Sequence, residues 1–307
     1  MSDRAGFGAL RSRQVDSIVR RALDEDLPWG DVTSEGLVPA DRTARGVFVA
    51  VEGGVACGLP IADAVFRALD GDCRLEPFVS EAEHVSPGRA IAEVAGPARA
   101  VLAGERTALN LVQRMSGIAT MTARYVAAVE GTGAAIVDTR KTAPGLRILD
   151  KYAVRCGGGR NHRFSLSDAV LVKDNHLAAV AGESLPEALQ SLRRAIPHTM
   201  KIEVEVDRLD QIAEALAGGA DIILLDNMGP DELRRAVALV GGRALTEASG
   251  GITLDSVRSV AESGVDLISV GALTHSVQAL NIRLDVRIDS GADPAHTADR
   301  AAEGAAR

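Results

Sequence analysis

Aromatic residues make up only 3% of this 307-residue chain, cysteines number three, and 34 Lys and Arg face 42 Asp and Glu. Each shortage closes off a class of function. So few aromatics leave no stacking platform for single-stranded nucleic acid. A net charge of −8 argues against general binding to DNA or RNA, where affinity comes from neutralised phosphates. No apolar run is long enough to span a bilayer, so no membrane partner is expected. Met1-Ser2-Asp3-Arg4 lacks the apolar core of a signal peptide. Cys57, Cys73 and Cys156 are far apart, odd in number and without metal-ligand spacing. They read as reduced thiols, and the expected location is cytoplasmic. The remainder is 46% hydrophobic and 25% charged, an ordinary composition for one large domain or two smaller ones.

Positive charge is scarce overall but concentrated in one place. Arg140 to Lys173 holds eight Lys and Arg, two Asp and no Glu, a local charge of +6 in an acidic chain. It includes the run Arg155-Cys156-Gly157-Gly158-Gly159-Arg160-Asn161-His162-Arg163. Such an island suits a small, multiply charged anion. Arg grips planar carboxylates through a rigid fork of donors, and Lys serves as a point charge for phosphate. A solvated basic face remains the plain alternative on charge alone.

From residue 134 onward, short apolar runs recur. They are Ala135-Ile136-Val137, Ala169-Val170-Leu171-Val172, Ile202 to Val206, Ile222-Ile223-Leu224-Leu225, Ala244-Leu245 and Leu267-Ile268-Ser269-Val270. Near-continuous apolar strands belong to parallel sheets buried on both faces. Helical segments lie between them. Asp207 can cap one over Leu209 to Ala217, Gly229-Pro230 opens another, and Thr253 can cap a third through Ser263. This alternation predicts an α/β fold, a parallel barrel that six strands leave incomplete.

Polar groups follow each strand. Asp138, Arg140 and Lys141 end the first, Lys173 the second, Glu205 the third and Asp226 the fourth. Glu247 and Ser249-Gly250-Gly251 follow the fifth, and Gly271 the sixth. Groups at the C-terminal ends of barrel strands converge on one site, so the functional site is expected there.

The first part of the chain differs. Arg13 to Leu27 reads as a helix, and Gly46 to Glu93 as short Gly-punctuated strands of a small antiparallel domain. Glu105 to Met115 reads as a helix leading into the barrel. The expected division is a smaller domain over 1–116, joined by a helix at 275–288, a barrel over 117–274, and a disordered tail over 289–307.

Several segments together carry a resemblance. They are Asp138-Thr139-Arg140-Lys141-Thr142-Ala143-Pro144-Gly145-Leu146-Arg147, Lys151-Tyr152-Ala153-Val154-Arg155-Cys156-Gly157-Gly158-Gly159 and Asn161-His162-Arg163. Lys173-Asp174-Asn175-His176, Glu203-Val204-Glu205-Val206, Leu225-Asp226-Asn227-Met228, Glu247-Ala248-Ser249-Gly250-Gly251-Ile252 and Ser269-Val270-Gly271-Ala272-Leu273-Thr274-His275-Ser276 continue it. Gly30-Asp31-Val32-Thr33 and Glu105-Arg106-Thr107-Ala108-Leu109-Asn110 fit upstream. In this order they resemble the quinolinate phosphoribosyltransferases over about residues 10 to 286.

The resemblance implies an α/β sandwich followed by an incomplete α/β barrel. It implies a homodimer or higher homo-oligomer with shared active sites, in which the first domain of one subunit covers the barrel mouth of another. The implied reaction joins quinolinate to 5-phosphoribosyl 1-pyrophosphate (PRPP), giving nicotinate mononucleotide, pyrophosphate and CO2 for NAD biosynthesis, with Mg²⁺ as cofactor. Arg140, Arg163, Lys173 and His162, with Arg106 from the neighbouring subunit, are the implied quinolinate contacts. Lys141 is the implied pyrophosphate contact, and Glu205 and Asp226 the implied ligands of metal or ribose. Lys141, Lys173, Glu205 and Asp226 form the expected catalytic group. Thr139, Ser249, Gly250, Gly251, Val270, Gly271 and Ala272 complete the substrate-binding set, since glycine turns let backbone N–H groups approach phosphate. Glu203 shares a strand face with Glu205 and competes with it for its role.

Three further readings stay open. One is a related phosphoribosyltransferase-like protein with another acceptor, although Asn161-His162-Arg163 and Arg106 suit a dicarboxylate. The second is a barrel aldolase with Lys141 or Lys173 as Schiff base, which needs a desolvated lysine. The third is a non-catalytic anion-binding barrel.

Overall fold

A computed structural model describes residues 13–179, 182 and 184–289. Of these, 117–278 form one compact unit, and 13–116 with 279–289 form another.

The N-terminal unit opens with the helix Arg13–Asp26, which buries Val15, Ile18, Val19 and Leu23 along one stripe. Asp31 caps the short helix Val32–Leu37, its Oδ1 accepting from the amides of Thr33 at 3.1 Å and Ser34 at 3.0 Å. Five strands follow in this unit: β1 (Thr43–Ala50), β2 (Gly54–Val55), β3 (Arg74–Pro77), β4 (His84–Val85) and β5 (Ala90–Pro97). β1, β5 and β3 lie side by side and antiparallel, and β2 pairs with β4. The helix Leu59–Leu69 sets Phe66 edge-on to Phe48 of β1, with ring centroids 6.2 Å apart.

The free edge of β1 is covered by a segment expected to be helical. Residues 282–288 form the strand Ile282–Ile288, antiparallel to β1 from Ala44↔Ile288 to Ala50↔Ile282. Its sequence, Ile282-Arg283-Leu284-Asp285-Val286-Arg287-Ile288, alternates apolar and charged residues, a period of two that no helix uses. Residues 290–307, where a disordered tail was expected, lie outside the described residues. The helix expected over Glu105 to Met115 is longer and runs Ala98–Ala128.

The second unit is built on six parallel strands: β6 (Ala135–Val137), β7 (Val170–Val172), β8 (Ile202–Val206), β9 (Ile222–Asp226), β10 (Leu245–Ser249) and β11 (Leu267–Ser269). Their order is β6-β11-β10-β9-β8-β7. β6 pairs with β11 on one side only and β7 with β8 on one side only, so the barrel is open between β6 and β7. One residue partly fills that gap. The Arg160 amide donates to the Ile136 carbonyl at 2.8 Å, and the Arg160 carbonyl accepts from the Asp138 amide at 3.1 Å.

The faces follow from the register. Ile202, Val204, Val206, Ile223, Leu225, Ala248 and Ile268 are buried on one face. Glu203, Glu205, Leu224, Asp226, Glu247 and Ser249 alternate with them on the other, where Glu205 pairs with Leu224, Leu224 with Glu247, and Asp226 with Ser249. The fifth strand therefore differs from expectation. It runs Leu245–Ser249 rather than Ala244-Leu245, so Glu247 and Ser249 lie on the strand instead of after it. The helix after β8 begins at Gln211, whose side chain accepts from the amides of Asp207 and Arg208 at 3.0 Å each. The helix expected after Thr253 is confined to Val257–Ala261.

Candidate active site

The sharpest geometry lies where β6 ends. Asp138 and Lys151 are both fully buried and form an ion pair at 2.5 Å. Lys151 comes from the helix Arg147–Cys156, on the side that also buries Leu149, Ala153 and Val154. Asp138 accepts from the His162 amide at 2.8 Å and from Asn161 Nδ2 at 2.6 Å. Lys151 Nζ also donates to the His162 carbonyl at 2.9 Å, and Asn161 Nδ2 to the Lys151 carbonyl at 2.8 Å. Burial pushes the Asp138 carboxyl up and the Lys151 ammonium down, and each is opposed by the charge of the other.

His162 then carries two defined contacts. Its Nδ1 accepts from the Arg163 amide at 2.7 Å, and its Nε2 lies 2.9 Å from Glu203 Oε2 and 3.8 Å from Glu247 Oε1. The proton therefore sits on Nε2 and is donated to Glu203. Burial opposes the imidazolium, but the hydrogen bond and charge of Glu203, helped by Glu247, outweigh it and raise the ring's pKa. Burial, then the nearby Glu203 charge, pushes the Glu247 carboxyl up to about 7. Among the described residues, Glu203 Oε1 and Glu247 Oε1 are buried without a hydrogen-bond partner.

Beside this cluster stand two guanidiniums. Arg163 Nη1 donates to the Ala169 carbonyl at 3.1 Å. Burial and then the charge of Arg140 hold Arg163 below the usual arginine range, so each cation lies within the other's field. Arg140 Nε is buried and has no partner among the described residues.

Lys173 forms an ion pair with Glu205 from the adjacent strand. Asp226 accepts from Asn227 Nδ2 at 2.7 Å. Gly250 has φ 99°, and a Cβ there would lie 2.2 Å from Asn227 Oδ1, so only glycine fits beside Asp226. The Thr139 hydroxyl accepts from the Lys141 amide at 3.0 Å, turning the chain as it leaves the strand. Thr274 Oγ1 donates to the Lys141 carbonyl at 2.8 Å. A Cβ at Gly271 would come within 3.0 Å of Lys141 Cδ and 3.1 Å of His275, so the Lys141 stem lies against this turn.

The anticipated residues thus fall into neighbouring groups. Arg140, His162 and Arg163 gather near Glu203, Lys173 meets Glu205, and Asp226 sits by Ser249 and Gly250. Lys141 joins Gly271, with Val270 and Ala272 on either side of that glycine. Arg106 is exposed on the long helix and belongs to the N-terminal unit. Sequence reasoning assigned no role to Lys151 or His275, and placed Glu247 at the expected site without giving it a task. Lys151 had a signal: a lysine in register with the apolar stripe of its helix needs a buried partner.

Two donor sets could hold a cation. Glu205 and Asp226 offer hard oxygen ligands on one face of adjacent strands, which fits Mg²⁺ shared with substrate phosphates. His162, Glu203 and Glu247 also bring their ligand atoms within 4.8 Å of one another. There, however, Nε2 holds the proton that Glu203 accepts, so its lone pair is not available to a metal.

An open parallel barrel with paired guanidiniums, lysines, carboxylates and glycine turns at its strand ends defines a class of α/β protein that handles phosphorylated and carboxylated small molecules. The quinolinate phosphoribosyl transferase N-terminal domain profile matches residues 31–116, and the C-terminal domain profile matches 118–285. The chain belongs to the quinolinate phosphoribosyltransferase family. A nicotinate-nucleotide pyrophosphorylase [carboxylating] of Mycobacterium leprae is 47% identical over 276 residues, covering 87% of this chain and 95% of that protein. A probable nicotinate-nucleotide pyrophosphorylase [carboxylating] of Bacillus subtilis is 43% identical over 277 residues, covering 90% and 95%. The crystal structure of NadC from Streptococcus pyogenes superposes with a TM-score of 0.87 at 37% identity, covering 92% of this chain and all of that one. Among the described residues, no helix is long and apolar enough to cross a membrane.

Proposed function

We propose that this chain transfers the phosphoribosyl group of PRPP to the ring nitrogen of quinolinate, with loss of CO2, giving nicotinate mononucleotide and pyrophosphate. The reading is carried by Arg140, whose Nε is buried without a partner among the described residues, and by Arg163, next to His162 and within reach of the Arg140 charge, at the exits of strands whose neighbours present Lys173, Glu205 and Asp226. A planar dianion is the ligand that pairs two guanidiniums at once.

Arg140, Arg163 and Lys173 bind the two carboxylates, and His162 fixes their orientation. Arg106, supplied by a second copy of the chain, completes this pocket, so the active form is a homodimer or larger homo-oligomer. Lys141 binds the departing pyrophosphate. The turns at Ser249-Gly250-Gly251 and Val270-Gly271-Ala272 offer amides to phosphate. Glu205 and Asp226 face the sugar hydroxyls and hold Mg²⁺, which when bound offsets the negative charge that grows on the leaving group. Loss of CO2 follows, because the ring nitrogen is cationic once ribosylated and stabilises the electron pair left at C2, which then takes a proton from solvent to become the C2–H of the product. Until then the residues need only hold the carboxylates and the ring in place. The reaction belongs to NAD biosynthesis, in the cytoplasm.

The test is incubation with quinolinate, PRPP and Mg²⁺, with nicotinate as the alternative acceptor, following mononucleotide and CO2. Turnover with quinolinate and Mg²⁺ dependence are expected. Mononucleotide formed from nicotinate and not from quinolinate would reject the acceptor.

A further inference from the structure

We propose that the buried Asp138–Lys151 ion pair is the positioning element of the quinolinate subsite, fixing the backbone of His162 so that Arg163 stays beside Arg140 before any dicarboxylate arrives. The inference rests on the reading of the site given above.

Neither partner can touch a ligand, because both side chains are wholly buried. What they touch is backbone. Asp138 accepts from the His162 N–H at 2.8 Å, and Lys151 donates to the His162 C=O at 2.9 Å. The two peptide groups flanking one residue are thus held by opposite ends of one ion pair. Asn161 adds a strut, donating to Asp138 at 2.6 Å and to the Lys151 carbonyl at 2.8 Å. The next residue is Arg163, whose own amide is bound by His162 Nδ1 at 2.7 Å.

The other end of the device reaches Arg140. Asp138 and Arg140 are two residues apart on the chain leaving β6, so the anchor joins the strand exit to the loop that carries Arg163. This junction opposes a definite force. Arg140 and Arg163 repel, and Arg140 Nε has no partner among the described residues. Left to a loose loop, two guanidiniums would move apart and each would take up water. A backbone clamped on both sides of His162 keeps them poised, and the cost of gathering two cations is met in folding rather than in binding. The consequence is selective: a dicarboxylate needs both guanidiniums together, whereas PRPP uses other groups.

Calorimetry on Lys151→Met and Asn161→Ala tests this, titrating quinolinate and, separately, PRPP with Mg²⁺. Lys151→Met should raise the quinolinate Kd roughly tenfold, the worth of one hydrogen bond to a charged group. Asn161→Ala should raise it about threefold to fivefold, less than Lys151→Met because the ion pair itself stays in place. The PRPP Kd should stay within about twofold of wild type in both, and kcat/KM for quinolinate should fall more than kcat. A merely structural pair predicts something else: fewer active molecules, with both affinities unchanged or both weakened together. Either result would overturn the proposal. If Lys151→Met does not fold, Asn161→Ala decides alone, since it leaves the charges in place. Wild type is titrated first. Its failure to bind quinolinate would defeat the reading of the site, whereas wild-type affinity in the variants would defeat only the positioning role.

Discussion

Two buried charged clusters lie side by side in the barrel unit, and they are built to opposite rules. Around Asp138, the carboxylate, the Lys151 ammonium, the Asn161 amide and the His162 peptide groups are bound to one another at 2.5 to 2.9 Å. Around His162 Nε2, Glu203 and Glu247 crowd a single ring, and each leaves one oxygen without a partner among the described residues. Burying a charge is costly unless it is paired and hydrogen-bonded. The first cluster meets that condition and the second does not. His162 belongs to both, its backbone to the satisfied cluster and its ring to the strained one. A rigid backbone therefore carries a side chain whose protonation is poised. Such poise is common where a site must meet a charged ligand.

The contrast is most directly broken at Asp138. Asp138→Ala leaves the Lys151 ammonium buried without its counter-ion and removes the acceptor of Asn161 and of the His162 amide. Loss of one partner of a buried pair costs about 3–5 kcal/mol. Urea unfolding should show a loss of this size, and a loss near zero would mean that the cluster holds nothing together. Glu205→Gln and Asp226→Asn should keep stability close to wild type while lowering kcat by about 10²-fold or more, the scale of losing one preorganised charge in a site. Initial rates against Mg²⁺ concentration give the check, and unchanged Mg²⁺ dependence in both variants would remove them from the metal site. Arg163→Ala should weaken quinolinate by about 2–5 kcal/mol, because a carboxylate is left unpaired. Arg163→Lys should restore only part of it, since a point charge cannot replace a fork. Equal quinolinate affinity in Arg163→Ala and wild type would place the dicarboxylate elsewhere.

The same contrast explains what the sequence made legible. The strand ends could be read because β9 is an apolar run that ends on Asp226, and in β8 Glu203 and Glu205 stand out between Ile202, Val204 and Val206. β10 was displaced by several residues because Leu245-Thr246-Glu247-Ala248-Ser249 is not an apolar run. Two of its positions on the face shared with Glu203 and Glu205, Glu247 and Ser249, are polar. The strand Ile282–Ile288 was read as a helix although its alternation is regular, because its partner β1 lies more than two hundred residues earlier and pairing at that distance leaves no local mark. Lys151 was passed over for a simpler reason. Lysines are almost always exposed, and nothing near it in sequence shows that Asp138, thirteen residues before it, would lie within hydrogen-bond reach.

The smallest expected effect at low pH, and the one that most sharpens the comparison, is Glu247→Gln. The Glu247 carboxyl is held up at about 7 in the folded chain against an ordinary 4.5, through burial and then through Glu203. The charged and polar groups facing it are Glu203 from β8, His162 and Asp138 around the end of β6, and Ser269 from β11. Because the folded pKa is raised, the folded state binds more protons than the unfolded state between pH 4.5 and 7. Stability contributed by this group therefore falls as pH rises through that window, and the full penalty stands above it. A shift of this size corresponds to about 3 kcal/mol at most, reduced where the His162 ring shares the proton. A glutamine carries no such penalty and keeps the shape of the protonated acid. The two proteins should then be nearly equal in unfolding free energy at about pH 5. The glutamine variant should be the more stable by about pH 8, by roughly 1–3 kcal/mol. Parallel stability curves across that range would show that Glu247 is ionised throughout, and that the cluster around His162 Nε2 is as well satisfied as the one around Asp138.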